Sequence, residues 1–438
     1  MSYSPDGRQQ PYRSAGQYPQ QPQYGEPYGP QGGYQPPYDR QRPQQPAYGE
    51  PRPQHSYGET QQLPPYQPPH HGEPRYDGPD GHEEPPRRKS KVKRWVIAGV
   101  SVLALGGIAA GVMTYFEIPP FTDKGSSVSF GKTPGGDGKG GAPVQQAPNS
   151  KALMPTNPTA DYKNAMTLND GTHVAVTTLD GKKSGFKGKV WVWAPKEYND
   201  PKFAKSGFPV LIALPGGAGY PNNYWMGTDL GLQTSISKWY AEGKSKPFLL
   251  AMPVLNPAPD DKGIYWDGSD IPNQPKMGTW LTEDVPDLMK ENFRTVKSRD
   301  GWAYMGSSTG GFASLKAVLK HPDKFKAAIC SGPDVVPDSP LWKGFDKEKA
   351  ENNPEVLAKA LIDKKGPDVY LAFQVGDNEN NKKTLPDVQK WVATYGKGPI
   401  HTSLRVIPGG QHNAKTYVPN MGEGPIQFIS KVMEGPVE

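Results

Sequence analysis

From Lys151 to the C-terminus, short apolar runs alternate with longer stretches of helical periodicity, and this alternation is the tightest constraint on the fold. Strands are expected at residues 173–179, 189–194, 210–214, 248–253, 302–306, 327–331, 369–375 and 403–408. Helices are expected at 227–242, 279–292, 309–320, 346–363, 383–395 and 424–433. The first two strands are separated by Asp180-Gly181-Lys182-Lys183, a turn signal that predicts an antiparallel hairpin. The later ones are continuous apolar runs, as strands covered on both faces require. Strand–helix alternation of this kind predicts an α/β domain over 151–438, with a mostly parallel eight-stranded sheet and helices on both faces.

The N-terminal third reads differently. Residues 1–86 are rich in Pro, Gln, Tyr and Gly, and Tyr24-Gly25-Glu26-Pro27 recurs as Tyr48-Gly49-Glu50-Pro51. With almost no Leu, Ile or Val, this segment lacks the apolar surface to offset its ordering entropy, so a disordered tail is expected. It serves either as a solvated spacer or as a tail that binds cytoplasmic proteins. Residues 87–94 form a basic run, and Trp95 to Phe116 follow without a single charge. At 1.5 Å per residue those 22 positions span about 33 Å, the thickness of a bilayer core. A transmembrane helix is therefore expected at 95–116. Basic residues on its N-terminal side predict that the tail is cytoplasmic and everything after Phe116 lies outside the membrane. Residues 117–150, dense in Gly and Pro, are expected to be a flexible linker.

The formal net charge of +6 needs no nucleic-acid partner, because the basic run at 87–94 suits the anionic inner leaflet. The single cysteine, Cys330, excludes an intramolecular disulfide and a Cys-based zinc site. It lies in an apolar run, the setting of a small buried hydrophobe.

Ligand sites in open α/β sheets gather beyond the carboxyl ends of the strands. Three loops at such ends carry reactive side chains. The first is Gly306-Ser307-Ser308-Thr309-Gly310, a G-x-S-x-G between a strand and a helix. A nucleophile on a tight strand-to-helix turn needs small flanking residues, which marks Ser308. The second loop, Gly409-Gly410-Gln411-His412, brings a general base after the last strand. His173, His321 and His401 are placed less well: the first precedes the nucleophile, the second ends a helix, and the third lies at the wrong end of its strand. The third loop, Gly376-Asp377-Asn378-Glu379, offers two acids to orient His412, and residue chemistry alone leaves Asp377 and Glu379 as alternatives. An oxyanion hole is expected from the backbone N–H groups of Thr309 and of Gly217, in the loop after residues 210–214. No metal or cofactor is implied.

Gly306-Ser307-Ser308-Thr309-Gly310-Gly311, His321-Pro322-Asp323-Lys324-Phe325, Ser331-Gly332, Pro209-Val210-Leu211 leading to Gly216-Gly217, and Gly409-Gly410 before His412 together resemble one esterase family. That family includes esterase D, feruloyl esterases and the antigen 85 mycolyltransferases, and the resemblance covers roughly residues 170–435. It implies an α/β-hydrolase fold and a Ser–acid–His triad acting on esters. Relatives carry the acid three residues past the glycine that ends its strand, which ranks Glu379 before Asp377. Pro215 and Thr309 depart from the residues common in relatives and bear on substrate class. The expectation is a membrane-anchored, extracytoplasmic serine esterase working through an acyl-enzyme on an ester linked to the cell envelope or to polysaccharide. The alternatives are an acyltransferase acting on envelope sugars, and a non-catalytic binding protein on the same scaffold. Tyr220, Tyr224, Trp225, Tyr265, Trp266 and Trp280 are expected in loops near the site, either lining a pocket or packing the loops.

Overall fold

Val210–Leu214, Leu249–Pro253 and Ala327–Ser331 are buried at every position. Successive strand side chains point to opposite faces, so full burial means that both faces of the sheet are covered there. The computed structural model describes residues 125–130, 149–156, 160–217, 219–259 and 264–438. The expected tail at 1–86, basic run at 87–94 and transmembrane helix at 95–116 lie outside the described residues, as does most of the linker. Among the described residues no helix is long and apolar enough to cross a membrane.

In chain order the strands are β1 (Ser127–Val128), β2 (Ala152–Leu153), β3 (Tyr162–Thr167), β4 (His173–Asp180), β5 (Lys187–Trp193), β6 (Val210–Leu214), β7 (Leu249–Pro253), β8 (Thr295–Val296), β9 (Trp302–Ser307), β10 (Ala327–Ser331), β11 (Val369–Gly376) and β12 (Ile400–Ile407). Ten of them form one sheet in the order β1-β3-β4-β5-β7-β6-β9-β10-β11-β12, and β2 pairs with β8. From β7 to β12 all neighbours are parallel. The β1, β3, β4, β5 end is antiparallel throughout, including its junction with β7.

The eight expected strands are present, and the sheet has two more. β3 was not anticipated because Tyr-Lys-Asn-Ala-Met-Thr is only weakly apolar and sits near the sheet edge, where one buried residue, Tyr162, suffices. β1 falls inside the segment expected to be a flexible linker. Residues 127–128 pair with β3, and Phe130 packs on Tyr162 at 5.4 Å and on Phe293 at 5.0 Å between ring centroids. The ordered domain therefore starts before residue 151, and part of the expected tether is sheet. The β4–β5 hairpin forms as expected, connected by residues 181–186, and the Asp284 carboxylate pins it by accepting from the N–H groups of Lys183 and Ser184, both at 2.9 Å.

The helix expected at 346–363 is two helices, Asp346–Glu351 and Pro354–Asp363. Pro354 cannot continue a helix but starts one, and the Asn353 side chain caps it by accepting from Glu355 N–H at 2.9 Å. The helix Ala414–Met421 was not anticipated, since Pro419 stands inside it. The helix Thr309–Lys320 forms as expected and is buried from Gly310 to Leu319. Its Lys316 ammonium is buried and donates to the carbonyls of Asp267 and Gly268, both at 2.9 Å, and to the Ser269 hydroxyl. Trp342 Nε1 completes the knot by donating to the Asp267 carboxylate at 2.7 Å. The loop after β7 is thereby tied to this helix.

If β1 and Phe130 belong to the core, Phe130→Ala will destabilise the domain by about 1–2 kcal/mol, less than a fully buried Phe because Phe130 is only half-buried. Urea unfolding of the two proteins measures the difference.

Candidate active site

The chain leaves β6 for β7 on one side and reaches β9 on the other, so the order reverses between β6 and β9. A crevice opens at such a switch point, beyond the carboxyl ends of the strands. Ser308 stands there, directly after β9, with φ +54° and ψ −125°. A non-glycine residue in this region costs on the order of 1–3 kcal/mol and persists only where its surroundings enforce it. Here the enforcement is visible. Ser308 N–H donates to Ser331 O at 2.9 Å, and Ser308 O accepts from Phe312 N–H at 2.9 Å. A Cβ on Gly306 would collide with the Gly310 carbonyl, and one on Gly310 with the carbonyls of Leu214 and Pro215. Only glycine at both positions lets the helix come this close to β6 and β9. Ser307 turns inward and its hydroxyl meets the Tyr224 hydroxyl.

β11 ends at Gly376, and Glu379 folds back beneath it, with a side chain only 2% exposed. Its Oε1 accepts from Gly376 N–H at 2.9 Å and from the Tyr417 hydroxyl at 2.6 Å. Its Oε2 lies 2.8 Å from His412 Nδ1. A carboxylate only accepts, so this contact places the proton on Nδ1 and leaves Nε2 as the basic nitrogen. Asp377 does something else. It is exposed, and it accepts from Gly409 N–H at 2.7 Å, bracing the loop that carries His412. Of the two acids expected from the sequence, Glu379 is the one joined to the histidine.

Burial works against the Glu379 charge, but the bonds from His412, Tyr417 and Gly376 N–H outweigh it and hold its carboxyl below the ordinary glutamate range. His412 moves the other way: its bond to Glu379 raises it above the ordinary imidazole value against the opposing effect of burial. Asp334, in the loop after β10, is pushed up to about 6 by burial and by Asp338, while His412 pulls it down.

Ser308 and His412 line one cavity of about 820 Å³, with Gly216, Gly217 and Tyr224 on its wall. The Gly216 N–H is occupied by Tyr224 Oη at 2.7 Å. Gly217, with φ +63°, is the next N–H along this wall. Thr309 opens the helix, where the first N–H groups have no partner within the helix. The other histidines lie elsewhere: His401 pairs with Asp368 at 2.9 Å, and His173 meets Thr167 at 3.0 Å. Cys330 is wholly buried in β10, and burial pushes its thiol up, away from thiolate chemistry. Of the loop aromatics, Tyr224 lines the cavity, whereas Trp225 and Trp280 are core residues donating to Leu214 O and Val254 O. Tyr417 was missed, because the helix that carries it was missed. Its place against Glu379 and His412 is set by tertiary packing, and no local signal marks it.

The sequence profile of the family described as "Putative esterase" matches residues 183–421, more than half of the chain. The chain belongs to this family of serine hydrolases. An uncharacterized protein of Corynebacterium glutamicum is 27% identical over 152 residues, 34% of this chain, and the match spans only 33% of that relative's length. Among solved structures, the chain is similar to a ferulic acid esterase at 17% identity, covering 60% of this chain and 99% of that one, with a TM-score of 0.47. It is also similar to an S-formylglutathione hydrolase from Agrobacterium tumefaciens at 17% identity, covering 61% and 98%, with a TM-score of 0.48. The feruloyl esterase module of Clostridium thermocellum gives 13% identity, 65% and 98% coverage, and a TM-score of 0.46.

The two acids separate by mutation. If Glu379 orients His412 as the acid of a triad, Glu379→Gln will lower kcat/KM by roughly 10³–10⁴-fold. Asp377→Asn keeps an acceptor for Gly409 N–H and will stay within about threefold of the parent. If His412 is the base it must be unprotonated to act, and Glu379 raises its affinity for the proton. The acid limb of the parent kcat/KM profile will therefore lie above the ordinary imidazole range, and in Glu379→Gln it will fall back.

Proposed function

We propose that this chain is a serine esterase in which Ser308 is the nucleophile, His412 the general base and Glu379 its orienting acid. The observation that carries the reading is the bond from the buried Glu379 to His412, which lines the same cavity as Ser308. Ser308 Oγ attacks the ester carbonyl as His412 Nε2 takes its proton. The negative oxygen that develops is met by the backbone N–H groups of Gly217 and Thr309, each such donor being worth about 3 kcal/mol of barrier. His412 then returns the proton to the leaving alkoxide, an acyl group remains on Ser308, and water activated by the same imidazole releases it.

The substrate class is a carboxylic ester. A second reading, acyl transfer to a sugar hydroxyl of the cell envelope, is favoured by the polar lip of the cavity, where Asp229, Gln411, Asn413, Lys415 and Thr416 offer hydrogen bonds to a hydroxyl-rich acceptor. The domain works outside the membrane, tethered by residues 95–116 with the N-terminal tail in the cytoplasm. The support for this is the uncharged stretch and the basic run that precedes it.

A membrane-impermeant fluorophosphonate applied to intact cells tests activity and placement together. The full-length chain is expected to be labelled at Ser308 and Ser308→Ala not at all, with p-nitrophenyl acetate turnover in the variant lower by about 10⁴–10⁶-fold. Labelling in lysates but not in cells would refute the outward placement. No labelling of folded protein in either would refute the nucleophile.

A further inference from the structure

Glu379 and His412 do not meet alone. Tyr417, from the helix Ala414–Met421, is 1% exposed and brings its hydroxyl to both partners. The hydroxyl donates to Glu379 Oε1 at 2.6 Å and stands 3.1 Å from His412 Nδ1. The arrangement is anchored from behind, where the Gln374 amide donates to the Tyr417 carbonyl at 3.3 Å and to the Ser331 hydroxyl at 2.7 Å. Space for it is made by Gly332, at φ +51°, where a Cβ would collide with the Tyr417 hydroxyl and stand 2.9 Å from His412 Nδ1. A tyrosine that merely filled the core would need neither a hydroxyl aimed at a carboxylate nor a glycine cleared for it.

We propose that Tyr417 is a positioning residue: its hydroxyl fixes the Glu379 carboxylate and draws off part of its charge, so that His412 faces a tempered carboxylate held in one orientation. The inference rests on the triad reading above. Burial and the neighbouring carboxylate push the phenol's ionisation well above its ordinary range, so it remains a donor wherever the enzyme works. No proton leaves it. Its effect is on the first proton to join the Glu379–His412 pair, which lands on His412 Nε2 and disables the base. With fewer donors on the carboxylate, that proton is bound more tightly.

The other groups that face the pair are Asp334 from the loop after β10, and Tyr224, which faces Tyr417 from the wall of the cavity. Both are retained when Tyr417 alone is changed.

The test is the kcat/KM profile of the full-length chain and of Tyr417→Phe with p-nitrophenyl acetate. The acid limb is expected to rise by about 0.5–1 pH unit and the plateau kcat to fall roughly tenfold, with KM nearly unchanged. Incorporating 3-fluorotyrosine at position 417 gives a stronger donor of almost the same shape, and the limb is expected to move down. That substitution also keeps the test open if the phenylalanine variant folds poorly. If Ser308 is labelled in all three proteins and their acid limbs coincide, Tyr417 only packs and the proposal falls alone. If the parent chain itself is not labelled at Ser308, the triad reading falls and takes the proposal with it.

Discussion

The close approach of the helix Thr309–Lys320 to the end of the sheet is the constraint on which the rest of the site depends. Gly306 and Gly310 let backbone meet backbone where any side chain would collide, and the chain between them turns through Ser308 at φ +54°. The strain at that residue is repaid by burial: nearly the whole helix is inside, and its Lys316 ties down the loop after β7 through three hydrogen bonds. The same turn brings Ser308, the start of the helix and the glycine loop after β6 to one point, because all of them follow neighbouring parallel strands.

A second constraint is electrostatic. A carboxylate only 2% exposed is tolerable when its oxygens are met by donors, and Glu379 has the Gly376 N–H, the Tyr417 hydroxyl and His412. Asp377 contributes from outside by bracing Gly409, so both acids of the loop act on the histidine loop by different means. One carries the charge next to the imidazole, and the other sets where the imidazole stands.

Within the parallel half, β6, β7, β9, β10 and β11 were legible because they are buried on both faces and so read as unbroken apolar runs, whereas the edge strand β12 is largely half-buried. The opposite edge was not legible. β3 has one buried residue in six, and β1 is two residues long inside a Gly- and Pro-rich stretch, so neither has a periodic signal. Phe130 is core only because Tyr162 and Phe293, far away in the chain, offer it a place to pack. The helix Ala414–Met421 contains Pro419, which a local reading treats as a breaker. Losing that helix from the reading lost Tyr417 as well.

By itself the sequence determined what depends on local chemistry. The strands β4 to β7 and β9 to β12, the turn at Ser308 with its obligatory glycines, and the choice of His412 by its place after the last strand all follow from residues adjacent in the chain. Only the tertiary structure decided which acid meets that histidine, since Asp377 and Glu379 are two positions apart, alike in chemistry and equally able to serve. The docking of the β12 loop against the end of β11 buries one and leaves the other at the surface, and that contact spans 33 residues of chain. Tyr417 was decided in the same way, because the meaning of a buried hydroxyl depends on what it is buried against.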